Sequence, residues 1–562
     1  MSGNSRSFFF WNYVFIGKTN TNMGKYIKLF DTHSEYLAFT QTDDFLKPNV
    51  SHCIQEDEVH YNPYDFSDRY FTTIARESGA ISFNIWKSMG TDMITSMSYS
   101  TDGGETWNTT NNQENKTENL AITANVSQGD IVMWKGDASQ LGFYDDDEYG
   151  DYVGSFFSST CEFDTQGNVM SLLYGDNFKG KVTIEKDYAF CLLFSDYNDE
   201  KECKIVNANN LCLPATTLAN DCYSNMFYNC TSLTTAPQLP ATTLAYACYY
   251  CMFQGCTSLS TQPELPATTL TDWCYRDMFN GCTNLATAPN LPATTLAYEC
   301  YANMFYGTNL LPDCSNIDFS DETILASGGL CGLFSGTKVT YDDLKRILPI
   351  GADGKPCLPA RTLAIDCYAN MFNGCTSLTT APELPATTLA QSCYYSMFNG
   401  CTSLTTAPEL PATTLAVNCY YNMFNGCTNL ITAPQLPATA MTNGCYVSMF
   451  QGCTSLATAP QLPATTLANG CYSYMFNGCT SLTTAPELPA TTLAERCYQS
   501  MFNNCTSLNY IKAMFTTTPG ANYTANWVRN VASSGTFVKN SAATWNVTGS
   551  NGIPTGWTVE TA

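Results

Sequence analysis

Histidine is nearly missing from this chain: three occur in 562 residues, His33, His52 and His60. Basic residues are scarce as well, 25 Lys and Arg against 49 Asp and Glu, for a formal net charge of −24. Each shortage removes a class of function. Nucleic acid and anionic lipid are held through clustered Lys and Arg, so neither is an expected partner. A zinc site has little to draw on, because His52, Cys53 and His60 lack a further Cys or His at the right spacing; no metal site is assigned. No run approaches the ~20 apolar residues that span a bilayer, so membrane insertion is not expected. The apolar stretch from Phe8 to Gly17 is aromatic rather than Leu- or Ala-rich, is interrupted by Asn12, and precedes no small-x-small cleavage site, so it is not read as a signal peptide. No coiled-coil heptad is present to enforce trimers, and the stoichiometry of any homo-oligomer stays open. Phosphate loops, nucleophile elbows and paired catalytic carboxylates do not stand out. No catalytic residue and no cofactor is therefore assigned.

What the chain has is a 26-residue period. One unit, CYSNMFYNCTSLTTAPQLPATTLAYA, runs from Cys222 to Ala247. Its leading Cys recurs at 248, 274 and 300, then at 367, 393, 419, 445, 471 and 497. A unit this short cannot bury its own apolar face, so neighbours must stack into a solenoid, an architecture that binds or spaces rather than catalyses. The expected fold class is mainly β: the solenoid, preceded by a small docking segment and a β-sandwich-like domain, and closed by a C-terminal cap. The expected boundaries are 1–64 for docking, 65–185 for the sandwich, 186–514 for the solenoid in two blocks (186–305 and 330–514), and 515–562 for the cap. The blocks open alike, with FCLLF at Phe190–Phe194 and LCGLF at Leu330–Phe334. Residues 306–356 between them form an irregular unit, with Thr308 in a Cys slot and a charged helix-like piece at Tyr341–Leu348.

Within the unit, Leu233, Leu239, Leu244, Cys222, Met226, Phe227 and Cys230 form the expected core. The PxLPA segment reads as an extended strand, because proline fixes its own φ and pushes its predecessor out of the helical region. The CYxxMF segment has helical spacing and reads as a single helical turn. At about 4.8 Å per coil, ten regular units would extend about 50 Å. Of 28 cysteines, ten fill the CY slot and nine the CTSL slot. Such regular recurrence at apolar positions is the behaviour of a small hydrophobe, and the alternative is a ladder of disulfides between neighbouring coils.

This pattern resembles the BspA-like leucine-rich repeats: CTSL, the strand ending in LP, Leu244 and MFYNC fill that family's C-x-x-L, L-P, apolar and A-F-x-x-C slots. Cys222 stands where the family often has Ile, and Met226 where it often has Ala. The flanks resemble proteins encoded by gut Bacteroidales and their phages, including crAss-like phages: Lys25–Cys53 (opening KYIKLFDTHSEYLAF), Tyr174–Gly180 (YGDNFKG), and the tail GIPTGWTVE. The resemblance implies a non-enzymatic surface protein. The leading expectation is a virion fibre or decoration, with residues 1–64 docked on other virion proteins and the solenoid facing a host surface protein or glycan. The alternative is a bacterial cell-surface adhesin.

One row is singled out as a candidate ligand-binding face: Gln238, Glu264, Asn290, Glu383, Glu409, Gln435, Gln461 and Glu487. It is polar in every regular unit while both neighbours are apolar or Pro, so alternation along a strand places it on one exposed face. Stacked Glu383 and Glu409 would repel unless solvated or bridged by a cation. A solvated solubility stripe and a glycan or cation site both fit this pattern. The Thr235 row reads as satisfying local backbone groups. STDGGETW (Ser100–Trp107) matches a single Asp box, read as a structural hairpin capped by Asp102; it is the only support for a glycan-degrading enzyme. The acidic run Asp145–Asp147, Glu148 and Asp151 fails the EF-hand pattern at Tyr149 and reads as a solvated loop or a weak calcium site.

Overall fold

The computed structural model describes residues 14–16, 25–30, 50–56, 59–61, 66–85, 94–111, 120–138, 141–144, 152–195, 202–285, 287–308 and 327–562, the earliest four segments by their backbone alone. The stretch Glu35–Thr42, whose sequence reads as a helix, the acidic run at 145–151, and the side chains of His33, His52 and His60 lie outside this description. Strands β1 (Val14–Ile16), β2 (Lys25–Phe30), β3 (Val50–Glu56) and β4 (Val59–Tyr61) form one four-stranded sheet in that order, with β2 and β3 parallel and the other pairs antiparallel.

Next come β5 (Phe71–Ala75), β6 (Gly79–Ile85), β7 (Ile94–Ser100), β8 (Asn108–Asn111), β9 (Leu120–Val126), β10 (Ile131–Ala138), β11 (Gly142–Tyr144), β12 (Tyr152–Gly154), β13 (Phe156–Ser159), β14 (Phe163–Asn168) and β15 (Ile205–Cys212). They make a six-stranded sheet, β15-β14-β5-β10-β7-β8, a three-stranded sheet, β13-β6-β9, and a β11-β12 hairpin. Alternation drives this arrangement: β10 buries Val132, Trp134, Gly136 and Ala138 and turns the residues between them outward. Phe71 and Trp134 of the larger sheet meet Phe157 of the smaller, each with ring centroids 5.2 Å away, and Phe83 lies 4.9 Å from Phe157. The buried Trp134 indole N–H donates to Thr73 Oγ1 at 3.0 Å, so its polar atom is satisfied. The Asp box closes the β7–β8 hairpin: Asp102 accepts from Thr106 N (2.9 Å) and from the hydroxyls of Ser100 (2.7 Å) and Thr106 (2.5 Å). Those donors hold its carboxyl below the usual carboxylate range, a purely local structural task.

Phe157 also stacks on Phe194, 5.6 Å away, which stacks on Phe227 at 5.1 Å, so the two-sheet core runs directly into the repeats. β15 bonds both ways: it pairs parallel with β14, and its Asn207 bridges Thr235 of the first regular unit. From there the coils stack in register. Parallel bridges link Thr380, Thr406, Thr432 and Thr458 in succession. The row expected to serve local backbone groups thus also supplies the backbone rungs between coils.

The CYxxMF segment is not helical. Amides of alternate residues divide their bonding. Ser224, Met226, Tyr228 and Cys230 donate to carbonyls three residues back, while Tyr223, Asn225, Phe227 and Asn229 donate to carbonyls of the next coil, Cys248, Tyr250, Met252 and Gln254, at 2.7–3.0 Å. An α-helix would spend every one of these N–H groups inside its own segment and leave the next coil unpaired. Every fourth residue has positive φ, Asp221, Asn225 and Asn229 in the first regular unit, which breaks helical geometry and chains tight turns into a ribbon. In most later coils the third of these positions is Gly, as at Gly426 (φ 72°).

Ten tyrosines, Tyr223, Tyr249, Tyr275, Tyr301, Tyr368, Tyr394, Tyr420, Tyr446, Tyr472 and Tyr498, are fully buried in this ribbon. Neighbouring rings stack nearly parallel, as in Tyr249–Tyr275 at 5.7 Å and 2°. A phenylalanine ladder runs beside them, for example Phe372–Phe398–Phe424–Phe450 at 5.5–5.7 Å. All 26 described cysteines are free thiols. Those of the CTSL slot donate Sγ–H to the Phe carbonyl of the preceding coil, as Cys427 does to Phe398 at 3.0 Å. The irregular unit keeps this register. Asn303 N donates to Cys331 O at 2.8 Å and Phe334 N to Met371 O at 3.0 Å, so the turn ribbon passes from one block to the other. Thr308 and Thr337, in Cys slots, each donate to the Phe carbonyl three residues back at 2.8 Å. The helix expected there is present as α1 (Tyr341–Ile347), opened by a Thr340–Asp343 capping box.

Past 514 the stacking goes on. Trp527 lies 6.2 Å from both Tyr498 and Phe502, and β16 (Tyr510–Ala513), β17 (Thr536–Lys539) and β18 (Thr558–Thr561) pair in parallel. The indoles of Trp527, Trp545 and Trp557 each donate to a backbone carbonyl, those of Gly552, Phe515 and Ala532. Among the described residues no helix is long and apolar enough to cross a membrane.

The tyrosine ladder carries a testable cost. The hydroxyl oxygens of Tyr223, Tyr368 and Tyr394 are buried without a hydrogen-bond partner. A buried unpaired hydroxyl costs about 1–3 kcal/mol. Tyr394→Phe is therefore expected to raise stability by about 1 kcal/mol in chemical denaturation, and a destabilised variant would show that this oxygen does have a partner.

Candidate functional site

The candidate row alternates as its sequence requires. Gln238, Glu264, Asn290, Glu409, Gln435, Gln461 and Glu487 are exposed and Glu383 is half-buried, while the Pro before and the Leu after each are buried. Two of its carboxylates meet lysines. Lys355 Nζ from the preceding coil reaches Glu383 Oε1 at 3.0 Å and Asp353 Oδ2 at 2.6 Å, and Lys512 Nζ from the following coil reaches Glu487 Oε1 at 3.0 Å. Bonds to Asp353 and then Glu383 hold the Lys355 ammonium above its ordinary range. Lys355 thus joins Glu383 to Asp353 rather than to Glu409, the neighbour in the row. Among the described residues no group of three His, Cys, Asp or Glu is arranged to hold a metal. A cleft of about 470 Å³ opens between Glu383 and Glu409, edged by Lys355, Arg361 and the flanking prolines, and Arg361 donates to Pro385 O at 3.0 Å.

A second, partly exposed face lies on the turn ribbon, and sequence reasoning passed over it. The PxLPATTLA strip is almost invariant from coil to coil. In the ribbon, by contrast, the residue ahead of the leading Cys and the two after the Tyr change in nearly every unit. The variation gathers into two aromatic clusters. In the first, Trp273 stacks on Tyr246 at 5.6 Å, Arg276 lies 4.6 Å above the Trp273 ring, and Arg276 pairs with Glu299. In the second, Tyr421 stacks on Tyr395 at 5.1 Å, and Gln499 Nε2 donates to Tyr474 Oη at 2.9 Å. Burial, with Tyr395 and Tyr474 nearby, raises the Tyr421 phenol. The signal for this face was in the sequence: these positions differ between otherwise identical units.

A family model described as BspA type leucine rich repeat region matches in six copies, over residues 204–322, 359–459 and 446–523. No curated protein and no solved structure matches the chain.

Proposed function

The chain belongs to the BspA-type leucine-rich repeat family, and from that premise we propose that it is a non-enzymatic surface protein whose stacked solenoid adheres to a host cell surface. One observation carries this reading: the same polar position emerges between a buried Pro and a buried Leu in coil after coil, an extended ladder of equivalent contacts rather than one enclosed site. Equivalent contacts favour multivalent attachment, because each added coil engages at high effective concentration. The carrier in this proposal is a phage particle, with residues 1–64 as the docking segment for other virion proteins. The resemblance of the flanks to proteins encoded by gut Bacteroidales and by their phages is compatible with it, and the stretch Phe8 to Gly17, which does not read as a signal peptide, inclines the reading toward a virion. A bacterial cell-surface adhesin is the second reading, and the family match favours it equally.

Two measurements test the proposal. Antibody labelling under the electron microscope is expected to mark phage particles, and deletion of residues 1–64 to abolish that labelling while leaving cell binding intact. Labelling of the bacterial envelope alone would select the adhesin. Substituting Gln at Glu264, Glu383, Glu409 and Glu487 together is expected to weaken cell binding at least about tenfold; undiminished binding would reduce the row to a solubility stripe.

A further inference from the structure

The turn face holds a shallow, open cleft of about 430 Å³ that spans four coils, from Tyr421 to Gln499. We propose that this cleft is a glycan-binding site that seats a pyranose ring against Tyr421 and Tyr474. The inference rests on the adhesive reading above and locates its ligand on a face other than the polar ladder.

Four observations converge here. First, the volume lies within the range of small-molecule sites. Second, the lining offers half-exposed phenol rings beside Gln451, Asn477, Gln499 and the guanidinium of Arg496. Rings of this kind pack against the C–H face of a sugar, and planar amides and guanidinium groups bond its hydroxyls. Third, no carboxylate lines the cleft, although the chain carries 49. At the rim Glu495 pairs with Arg496 at 3.7 Å, between two well-exposed side chains, where water screens the pair. Fourth, Tyr474 is held at φ 58°, where most regular coils place Asn or Ser, as at Asn225, Asn303, Asn370, Asn422 and Ser396, and two place Cys251 and Asp277. A bulky residue in this region costs about 1–2 kcal/mol. Strain of this sort gathers where a side chain must be presented to a ligand. Arg496 in the same cleft also has positive φ, 53°, a conformation that Ala247, Trp273 and Glu299 share at the same place in other coils.

The strain supplies a clean test, because restoring the residue used by the other coils should help folding while removing the site. The full chain is applied to an array of neutral and acidic oligosaccharides. It is expected to bind pyranose-containing glycans, and Tyr474→Asn to lose affinity at least about tenfold with an unchanged or raised Tm. Trp273→Gly relieves the same kind of strain on the same face outside the cleft and is expected to keep full affinity. Arg496→Asn separates the sugar classes, since a loss confined to acidic glycans assigns a carboxylate to Arg496 and an equal loss for all glycans assigns hydroxyl recognition. Full affinity in Tyr474→Asn would overturn the site. An array without binding, or cell adhesion that survives complete removal of surface glycans, would overturn the ligand class while leaving the adhesive reading standing.

Discussion

Raising the pH through about 10 is expected to unfold the repeat stack in one cooperative step. The reason is the number of weak acids sealed inside it. Burial pushes the thiols of Cys274, Cys282, Cys367, Cys375, Cys427, Cys497 and Cys505 from the ordinary 9.0 up to about 12. Cys248, Cys256, Tyr249 and Tyr394 are likewise driven well above their ordinary values, again by burial first. In the unfolded chain these groups lose their protons near their ordinary values; in the folded chain they keep them. The unfolded state then binds fewer protons, so stability is flat below about pH 9 and falls steadily toward the folded-state values. At about pH 11 each of the seven thiols disfavours the fold by on the order of 2–3 kcal/mol, and their sum is comparable to the roughly 5–15 kcal/mol that holds a typical domain. Circular dichroism and tyrosinate absorbance should therefore change together. Phenol titration at its ordinary value with the dichroism unaltered would show that the ladders are open to water.

Phe424→Ala is expected to cost about 3–5 kcal/mol, the range for emptying a fully buried aromatic site. Phe424 stacks on Phe398 at 5.6 Å and on Phe450 at 5.7 Å, each within 4° of parallel, and nothing of it is exposed. Its carbonyl accepts from Cys453 Sγ at 3.1 Å, so a collapse around the void would pull on the next coil as well. In a stack each unit is stabilised mainly by its two neighbours, and a defect at the centre weakens two interfaces at once. Limited proteolysis should then cut first between residues 398 and 450. A loss below about 1 kcal/mol, with cleavage elsewhere, would mean that the rings do not carry the stack.

Much of this architecture was legible in local spacing. The seven core positions named for the first unit are all buried, from 0% for Cys222 to 8% for Leu244. The exposed row followed from Pro and Leu on either side of it, and the hairpin at Asp102 from the residue types of its turn. Other features were not legible. Tyr223 and its equivalents did not read as core, because a phenol is as much at home at a surface, and only the ring on each side in the stack makes burial worthwhile. Cys222 and Met226 are four residues apart, as on a helix, but a period shared by two structures cannot choose between them. The interruption at 306–356 read as a break between blocks, yet the ribbon crosses it because its bonds are made by backbone atoms, whatever side chains intervene.

The sequence by itself determined the 26-residue period, which side chains fill the interior, and the alternation that exposes one polar row. Those depend on side-chain chemistry and on neighbours a few residues apart. Only the tertiary structure decided that the CYxxMF segment is a ribbon of turns and that Tyr421, Tyr474 and Arg496 share one cleft. The amide partner of every other ribbon residue lies in the next coil, 25 positions ahead in the regular units, and the cleft exists only where four coils, each made of a separate stretch of chain, lie side by side.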